Sequence, residues 1–316
     1  MAQVTRLGIT LGDPSGIGPE IVASALATMP DEWCDRVIVY GDREPLERGA
    51  RAMHVTLPDV TVVGDGTGDT AVPGAPDERA GAAQVGYLEA ACAAAARGEL
   101  AGIVTAPISK TWARRGGFPF MGHTEFLAAR LGAKKVAMLF AGPRLKVALV
   151  TVHRPLAEVV EDLSTERIRE VIELVVDSMH VDFGFDCPRI GVVGLNPHAG
   201  EDGLLGDEDH EIIEPAIEEP LEGAKLFGPL VPDAAFRDAL DGKYHAMIAM
   251  YHDQGLIPVK LIDFDEAVNC TLGLPIPRTS PDHGTAYDIA GKGIARPISM
   301  QRALSLAIDM IGRRGH

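Results

Sequence analysis

Eight short runs of β-branched and other apolar residues recur along the chain, and they constrain its fold more than any other feature. The runs read RLGITL, RVIVYG, VTVVG, AGIVTA, KVAMLF, LKVALVTV, RIGVVGL and HAMIAMY. Most of them are apolar at nearly every position, as in strands that are covered on both faces. Helical patterns lie between many of the runs or after them, at 19–29, 78–97, 165–179 and 299–311. This alternation predicts an α/β architecture with a substantially parallel sheet.

The length and charge of the chain limit both its organisation and its partners. Its 316 residues suffice for two domains or for one large α/β domain. Twenty-nine basic residues against 45 acidic ones give a formal net charge of −16. This charge disfavours non-specific attraction to nucleic acid or to an anionic membrane surface. An anionic substrate would therefore have to be attracted by a local basic cluster.

The cysteines and the N-terminal segment bear on the cellular compartment. Cys34, Cys92, Cys187 and Cys270 are too widely spaced for a CxxC zinc or redox motif, and their apolar neighbours favour reduced, buried thiols. The segment MAQVTRLGITLGDPSG resembles neither a signal peptide nor a transit peptide, and no run of about 18 apolar residues occurs. We therefore expect a cytoplasmic protein.

Polar residues follow several of the predicted strands. Ligands bind at the carboxyl ends of parallel strands, so these positions are the first candidates for a site. After LGITL comes GDPSGIGPEI, a glycine-rich turn that includes Gly12 and Asp13 and leads into a helix. The N-terminal amides of that helix would be free to meet an anion. A purely structural turn is equally compatible with this stretch, because it lacks the GxGxxG pattern.

Three histidines also follow strand-like runs. His153 comes after LKVALVTV, His198 after GVVGLNP and His252 after AMIAMY. Because neighbouring parallel strands end at the same edge of a sheet, three such histidines favour a shared site over three separate structural roles. Imidazoles suit Zn²⁺, Co²⁺, Ni²⁺ or Fe²⁺, and three of them leave a coordination position open for a substrate. The pattern predicts a divalent metal site.

A second group has the chemistry of an anion clamp. Lys260, Asn269 and Arg278 follow His252 at intervals of eight, nine and nine residues. Arginine binds phosphate or carboxylate through its two-pronged guanidinium, and lysine binds as a point charge. GHTEF adds His123 and Thr124 at a predicted helix N-terminus. Taken alone, Lys260 would be interpreted as a solvated residue at a strand edge.

Five longer motifs give the chain a resemblance to a known family. They are GDPSGIGPEI, GHTEF, GLNPHAGE, YHDQGLIPVK and VNCTLGLPIPRTSPDHGTAYDIAGKG. Together they resemble the 4-hydroxythreonine-4-phosphate dehydrogenase (PdxA) family of vitamin B6 biosynthesis. The resemblance implies a fold like that of isocitrate and isopropylmalate dehydrogenases, with two α/β/α domains, a central cleft and a homodimer. It implies a discontinuous first domain, 1–120 plus 256–316, and a second domain, 121–255.

The resemblance also implies roles for individual residues. The metal ligands of the family fall on His153, His198 and His252, with one of them supplied across the dimer interface, and Zn, Co, Mg, Mn or Ni is the expected metal. The substrate-binding positions fall on His123, Thr124, Lys260, Asn269 and Arg278. Asp233, in GPLVPDAAF, matches a further active-site position. The general base is left open among Asp233, Lys110 and a metal-bound water.

The segment DHGTAYDIAGKG resembles the adenosine-binding loop of isocitrate and isopropylmalate dehydrogenases. The expected cofactor-binding residues are Gly12, Asp13, His283, Gly284, Thr285, Asp288 and Ile289. The Asp-Ile pair matches the NAD pattern, because an acidic side chain accepts from the ribose 2′-hydroxyl but repels a 2′-phosphate. Two departures are Tyr287, where those dehydrogenases carry proline, and Ser109, where PdxA relatives often carry histidine.

The activity that the resemblance implies is an oxidative decarboxylation. NAD and a divalent metal would serve the oxidation of the C3 hydroxyl of 4-phosphohydroxy-L-threonine, and loss of CO₂ would give 3-amino-2-oxopropyl phosphate for pyridoxal phosphate biosynthesis. An alternative is a related dehydrogenase of D-threonate or D-erythronate 4-phosphate, which would use the same clamp. More distant alternatives are a non-catalytic module that binds phosphate or nucleotide and a metal-dependent phosphatase.

Overall fold

The computed structural model describes residues 5–315. The chain forms two compact units. The first contains the chain up to Lys134 and again from Leu274, and the second is Lys135–Gly273. The domain boundaries near residues 120 and 256 that the resemblance implies stay predictions.

Strands and helices alternate along most of the chain. In order they are β1 (Leu7–Thr10), α1 (Gly18–Ala27), β2 (Val37–Tyr40), α2 (Arg43–Met53), β3 (Thr61–Val63), α3 (Glu78–Ala96), β4 (Gly102–Thr105), α4 (Lys110–Arg115), α5 (His123–Leu131), β5 (Ala137–Ala141), β6 (Lys146–Leu149), α6 (Val159–Asp162), α7 (Thr165–Val181), β7 (Arg189–Val193), α8 (Glu214–Glu218), β8 (Lys225–Leu230), α9 (Pro232–Leu240), β9 (Ala246–Ala249), α10 (His252–Ile262), β10 (Val268–Leu272), β11 (Arg278–Pro281) and α11 (Ile298–Arg313). Single turns of 3₁₀ or π-helix lie at Asp31–Arg36, Leu156–Glu158, Pro197–Gly200 and Asp209–Ile213.

The first unit is built on parallel strands in the order β3-β2-β1-β4-β11. Every residue of β1 and β4 is buried. Such complete burial requires cover on both faces of the sheet, and it explains why these strands are continuously apolar in sequence. β11 differs, since three of its four residues, Arg278, Thr279 and Ser280, are polar and yet all four residues are buried.

The second unit has the strand order β10-β5-β6-β9-β7-β8. β5 is antiparallel to both of its neighbours, whereas the pairs from β6 to β8 are parallel. Its core joins Val147 and Leu149 of β6, Met247 of β9 and Val259 of α10. Because β6, β9 and β7 are adjacent and parallel, their carboxyl ends lie at one edge of the sheet.

The eight strands and four helices expected from the sequence are all present, and the helix ends differ from the predicted ones by at most two residues. α7 begins as its capping residue dictates, because the Ser164 hydroxyl accepts from the Arg167 amide at 3.1 Å. Three strands were not predicted: β8, β10 and β11.

Among residues 5–315, no helix combines the length and the apolar character needed to cross a bilayer.

Candidate active site

Arg278 is the most deeply buried cation of the predicted substrate site. It opens β11 and is only 3% exposed. Its Nε and Nη2 atoms donate to the Thr105 hydroxyl at 3.2 and 2.7 Å. Thr105 ends β4, the parallel neighbour of β11, and lies two residues beyond Ile103, the register partner of Arg278. These bonds fix the guanidinium plane at the end of a rigid strand, a good position from which to bind an anion.

His123 lies in the same unit, at the start of α5. The residue as a whole is only half-buried, but its Nε2 atom is inaccessible to solvent and has no hydrogen-bond partner within residues 5–315. Burial, followed by the charges of Arg278 and Lys110, holds the pKa of His123 well below its usual range. The ring is therefore neutral at physiological pH. An unpartnered buried polar atom is costly and unusual in a folded protein.

The depressed pKa of His123 predicts a pH dependence of stability. The unfolded chain binds a proton at this residue near pH 6.5, whereas the folded protein does not. The stabilisation is therefore present above the unfolded pKa and is lost as the pH falls. We expect the free energy of unfolding of the wild type to fall relative to that of His123→Gln by up to about 1.4 kcal/mol per pH unit below about pH 6. Urea unfolding from about pH 5 to 7.5 measures this difference, and parallel profiles would contradict it.

The neighbours of His123 differ in exposure. Thr124 is buried in the first turn of α5. Lys110 is exposed and begins α4, where the Ser109 hydroxyl caps the helix by accepting from the Trp112 amide at 3.3 Å. Ser109, which stands where relatives often carry histidine, thus acts as a helix cap in this chain. The predicted site residues of the first unit thus include the buried cation of Arg278, the exposed cation of Lys110 and the neutral imidazole of His123.

His153 and His252 come together in the second unit. They follow β6 and β9, and their ring centroids are 6.0 Å apart. Both rings line a cavity of about 290 Å³, together with Val152, Arg154, Leu156, Val159, Tyr251 and Asp253. His252 Nδ1 donates to the Asp253 carboxylate at 2.7 Å. A carboxylate on one ring nitrogen directs the other toward a metal, so this pair has suitable donor chemistry.

His198 takes a different position. It lines a separate cavity of about 640 Å³, and its Nδ1 lies 3.2 Å from the Glu201 carboxylate. Its φ is +54°, and left-handed residues continue through Asp202, so the chain turns sharply here after leaving β7. In the part of the chain that the structure describes, no three His, Cys, Asp or Glu side chains are close enough to hold a metal ion. The three-histidine site, with one ligand from a second subunit, stays a prediction.

The remaining predicted residues of the second unit lie on separate elements. Lys260 is near the end of α10, with its Nζ 5.3 Å from the ring centroid of Phe264. Asn269 lies in β10, and its buried Oδ1 lacks a hydrogen-bond partner among the described residues. Asp233 is exposed in the first turn of α9. Asn269 therefore repeats the property of His123, a buried polar atom that is available to a ligand.

The turn after β1 is more enclosed than its sequence indicates. A Cβ at Gly12, where φ is +69°, would lie 2.3 Å from the Pro107 carbonyl oxygen, so only glycine fits. Asp13 is fully buried. The Ile17 amide, expected to be free at the start of α1, donates to the Thr285 carbonyl at 2.9 Å. This amide is therefore occupied by the chain itself and does not bind an anion.

The predicted cofactor segment is anchored to α1 by a residue that the sequence did not single out. The buried Glu20 carboxylate accepts from the amides of Gly291 and Gly293 at 3.0 and 2.8 Å. Three residues of this segment, His283, Gly284 and Asp288, are exposed. Thr285 and Ile289 are half-buried. The only signal for Glu20 was a charged residue in the first turn of an otherwise apolar helix, GPEIVASALA.

Comparison with known proteins agrees with these features. The family model described as pyridoxal phosphate biosynthetic protein PdxA matches residues 32–307. A 4-hydroxythreonine-4-phosphate dehydrogenase of Desulfosudis oleivorans is 44% identical over 330 aligned positions, which cover 98% of this chain and 97% of the relative. The crystal structure of a 4-hydroxythreonine-4-phosphate dehydrogenase from Klebsiella pneumoniae has a TM-score of 0.86 and 36% identity, covering 98% of this chain and 99% of that one.

A more distant structural similarity concerns the fold alone. An isocitrate dehydrogenase from Methylococcus capsulatus superposes with a TM-score of 0.51 at 16% identity, covering 98% of this chain and 87% of that one. The α/β fold of the isocitrate dehydrogenase type that the resemblance implied is thereby confirmed. From the family model, the identity over nearly the whole length and the shared fold, we conclude that this chain belongs to the PdxA family of pyridoxal phosphate biosynthetic proteins.

Proposed function

We propose that this protein is an NAD-dependent, divalent-metal-dependent 4-hydroxythreonine-4-phosphate dehydrogenase that acts as a homodimer. It would oxidise the C3 hydroxyl of 4-phosphohydroxy-L-threonine, and decarboxylation would give 3-amino-2-oxopropyl phosphate. The relatives that carry this name cover nearly the whole chain. The observation that carries the proposal is the pairing of the buried Arg278 guanidinium with the unpartnered Nε2 of His123 in one unit.

The charges of the first unit suit a phosphorylated substrate. Arg278 supplies a fixed, permanently charged fork that matches phosphate oxygens, and Thr105 holds it in orientation. His123 adds a hydrogen-bonding nitrogen without adding charge, because its pKa is depressed. In the second unit, Lys260 and the unpartnered Oδ1 of Asn269 are the residues proposed to contact substrate. A strongly acidic protein needs such a local basic group to bind an anion.

The donor set of the second unit fits a divalent metal. His153 and His252 face one cavity, and Asp253 leaves Nε2 of His252 as the available nitrogen. His198 has the same arrangement, because Glu201 engages its Nδ1, and it would complete the set from a second subunit. When bound, the metal would act as a Lewis acid that lowers the pKa of the substrate hydroxyl.

Apolar exposure near this group supports the homodimer. Ile257, Leu261 and Phe264 are 58%, 79% and 63% exposed, on or just after α10, the helix that also carries His252 and Lys260. Large apolar side chains exposed together in this way are typical of protein interfaces. A second subunit that covers them would lie against the helix that carries His252.

The 283–289 segment fits NAD better than NADP. Asp288 is exposed, so its carboxylate can accept from ribose hydroxyls and would repel a 2′-phosphate. The cofactor would supply the hydride acceptor, while the protein fixes the distance and orientation of the substrate. Asp233 and Lys110 remain the two candidate bases on the chain. Both are exposed at the first turn of a helix and can therefore exchange protons with solvent.

The proposed function is tested by following NADH absorbance with purified, chelator-treated protein. We expect NADH to form from 4-phosphohydroxy-L-threonine and NAD⁺ only after Zn²⁺, Co²⁺ or Mg²⁺ is restored, and the rate with NADP⁺ to be lower by at least about tenfold. Faster turnover of D-threonate or D-erythronate 4-phosphate would replace the substrate assignment. Lack of turnover on all three acids, with metal present, would favour a non-catalytic binding module.

A further inference from the structure

A buried carboxylate lies beneath the proposed cofactor segment. Asp13 is 0% exposed, and its Oδ2 accepts from the Tyr287 hydroxyl at 2.5 Å and from Gln84 Nε2 at 3.3 Å. Its Oδ1 accepts from the Ser15 amide at 2.8 Å. The Tyr287 bond joins residues 274 positions apart in sequence. The carboxylate therefore has three donors, and one of them reaches it from the 283–289 segment.

The donors of Asp13 are all neutral, so the network depends on hydrogen bonds rather than on an ion pair. Burial raises the pKa of Asp13, whereas the bonds from Tyr287, Ser15 and Gln84 lower it. Burial and the bond to Asp13 raise the pKa of Tyr287, so the phenol keeps its proton and acts as the donor. Gln84 extends the network, because its Oε1 accepts from the Ser109 amide at 2.7 Å. Hydrogen bonds to a buried carboxylate are stronger than those between neutral groups.

Tyr287 holds the middle of the segment through its hydroxyl, which bonds to Asp13 and also lies within hydrogen-bonding reach of Ser109 and Thr285. Thr285 is tied to α1 through its carbonyl, and Gly291 and Gly293 are tied through Glu20. Between these anchors the segment bonds to itself, as the Ile289 amide donates to the Ala286 carbonyl at 3.1 Å.

Backbone strain accompanies this arrangement. Ala286 has a φ of +43°, a left-handed value that a non-glycine residue adopts only when its surroundings impose it. The residue after it, Tyr287, directs its hydroxyl inward to Asp13, and the next residue, Asp288, is exposed. The hydrogen bond from the Tyr287 hydroxyl to the buried Asp13 thus sets the exposed position of the adjacent Asp288.

We infer that Tyr287 is a positioning residue for the dinucleotide: by binding Asp13 it fixes Asp288 and Ile289 in the conformation that meets the adenosine ribose. This inference rests on the proposed use of NAD. Tyr287 itself need not contact the cofactor. Without the Tyr287 hydroxyl, residues 286–290 would sample other conformations. NAD⁺ binding would then have to order these residues, and the free-energy cost of that ordering would weaken the binding.

The test is Tyr287→Phe, which removes the hydroxyl and keeps the ring. We expect the NAD⁺ dissociation constant, measured by calorimetric titration of the metal-loaded protein without substrate, to rise by about five- to thirtyfold. The amides of 286–290 should exchange hydrogen about tenfold faster in the cofactor-free protein. In turnover assays KM for NAD⁺ should rise while kcat and the substrate KM stay within about twofold. Asp13→Asn weakens the same bond and should shift NAD⁺ binding in the same direction.

The chain offers a matched control in Tyr87→Phe. Tyr87 donates to another buried carboxylate, Asp42, at 2.6 Å in the same unit, and Asp42 anchors the amides of Gly66 and Gly68 rather than the 283–289 segment. This variant should lose stability but keep its NAD⁺ affinity.

Four outcomes would overturn the inference. Equal loss of NAD⁺ affinity in the Tyr87 and Tyr287 variants, or failure of both Tyr287→Phe and Asp13→Asn to fold, would show that the Asp13 network only supports the fold. Unchanged NAD⁺ binding and exchange in Tyr287→Phe would refute the positioning role and leave the proposed function intact. Lack of NAD⁺ binding by the wild type would overturn the cofactor assignment and this inference together.

Discussion

Replacing His252 by alanine is expected to remove bound divalent metal and to lower kcat by at least about a thousandfold. His252 contributes a directed imidazole, because Asp253 engages its Nδ1 at 2.7 Å and His153 lies 6.0 Å away across one cavity. His252 would be one of the residues that hold the metal, so its loss would lower the metal affinity and the Lewis-acid activation of the substrate hydroxyl that the metal would supply. Metal content after dialysis and initial rates at saturating metal measure the two effects separately.

The control for this prediction is His180→Gln. His180 is a half-buried histidine of the same unit, in the last turn of α7, and it lies outside the predicted metal set. Its metal content and kcat should match those of the wild type. If His252→Ala retained both its metal and its activity, the assignment of His252 as a ligand would be wrong.

Replacing Arg278 by lysine is expected to lower kcat/KM for the phosphorylated substrate by about a hundred- to a thousandfold, and to leave NAD⁺ binding unchanged. The positive charge is retained in this variant, so the loss reports the geometry of the guanidinium. Lysine cannot donate through a planar fork, and it would leave the Thr105 hydroxyl, which now accepts two bonds, with a poorer donor. Steady-state kinetics with each substrate varied in turn separates the two effects.

Arg115→Lys is the matched control for the arginine variant. Arg115 belongs to the same unit, but it is exposed and stacks over the Trp112 ring at 4.4 Å. Its replacement should change kcat/KM by less than about twofold. An equal loss in both variants would indicate that arginines of this unit act through general electrostatic attraction, and it would remove the specific role of Arg278.

The secondary structure was predictable wherever the pattern was local and apolar. Runs such as LGIT and GIVT read as strands because they are covered on both faces, and both are buried throughout. RTSP and VNCTL do not read as strands, since they carry polar residues or proline, yet both are strands in the structure. Their strand conformation comes from pairing, as Arg278 and Thr279 align with Ile103 and Val104 of β4. Such non-local pairing leaves no trace in a local pattern.

The candidate site was predictable in its residue types and only partly in its geometry. The three strands that precede His153, His198 and His252 are neighbours as predicted, because β6, β9 and β7 are adjacent and parallel. It brings His153 and His252 together, but not His198. The reason lies in the backbone, since left-handed residues from His198 to Asp202 turn the chain into another cavity.

The sequence by itself determined the α/β class, the bounds of four helices and the types of functional side chain available, because periodicity and residue type are local properties. The tertiary structure decided the burial and partners of those groups. The pKa of His123 is low first because the ring is buried and then because of the charges of Arg278, 155 positions away in sequence, and Lys110. Asp13, which read as a candidate ligand contact in a glycine-rich turn, is bonded to Tyr287 from the far end of the chain. Burial and pairing between distant segments set protonation and orientation, and only the folded chain brings such segments into contact.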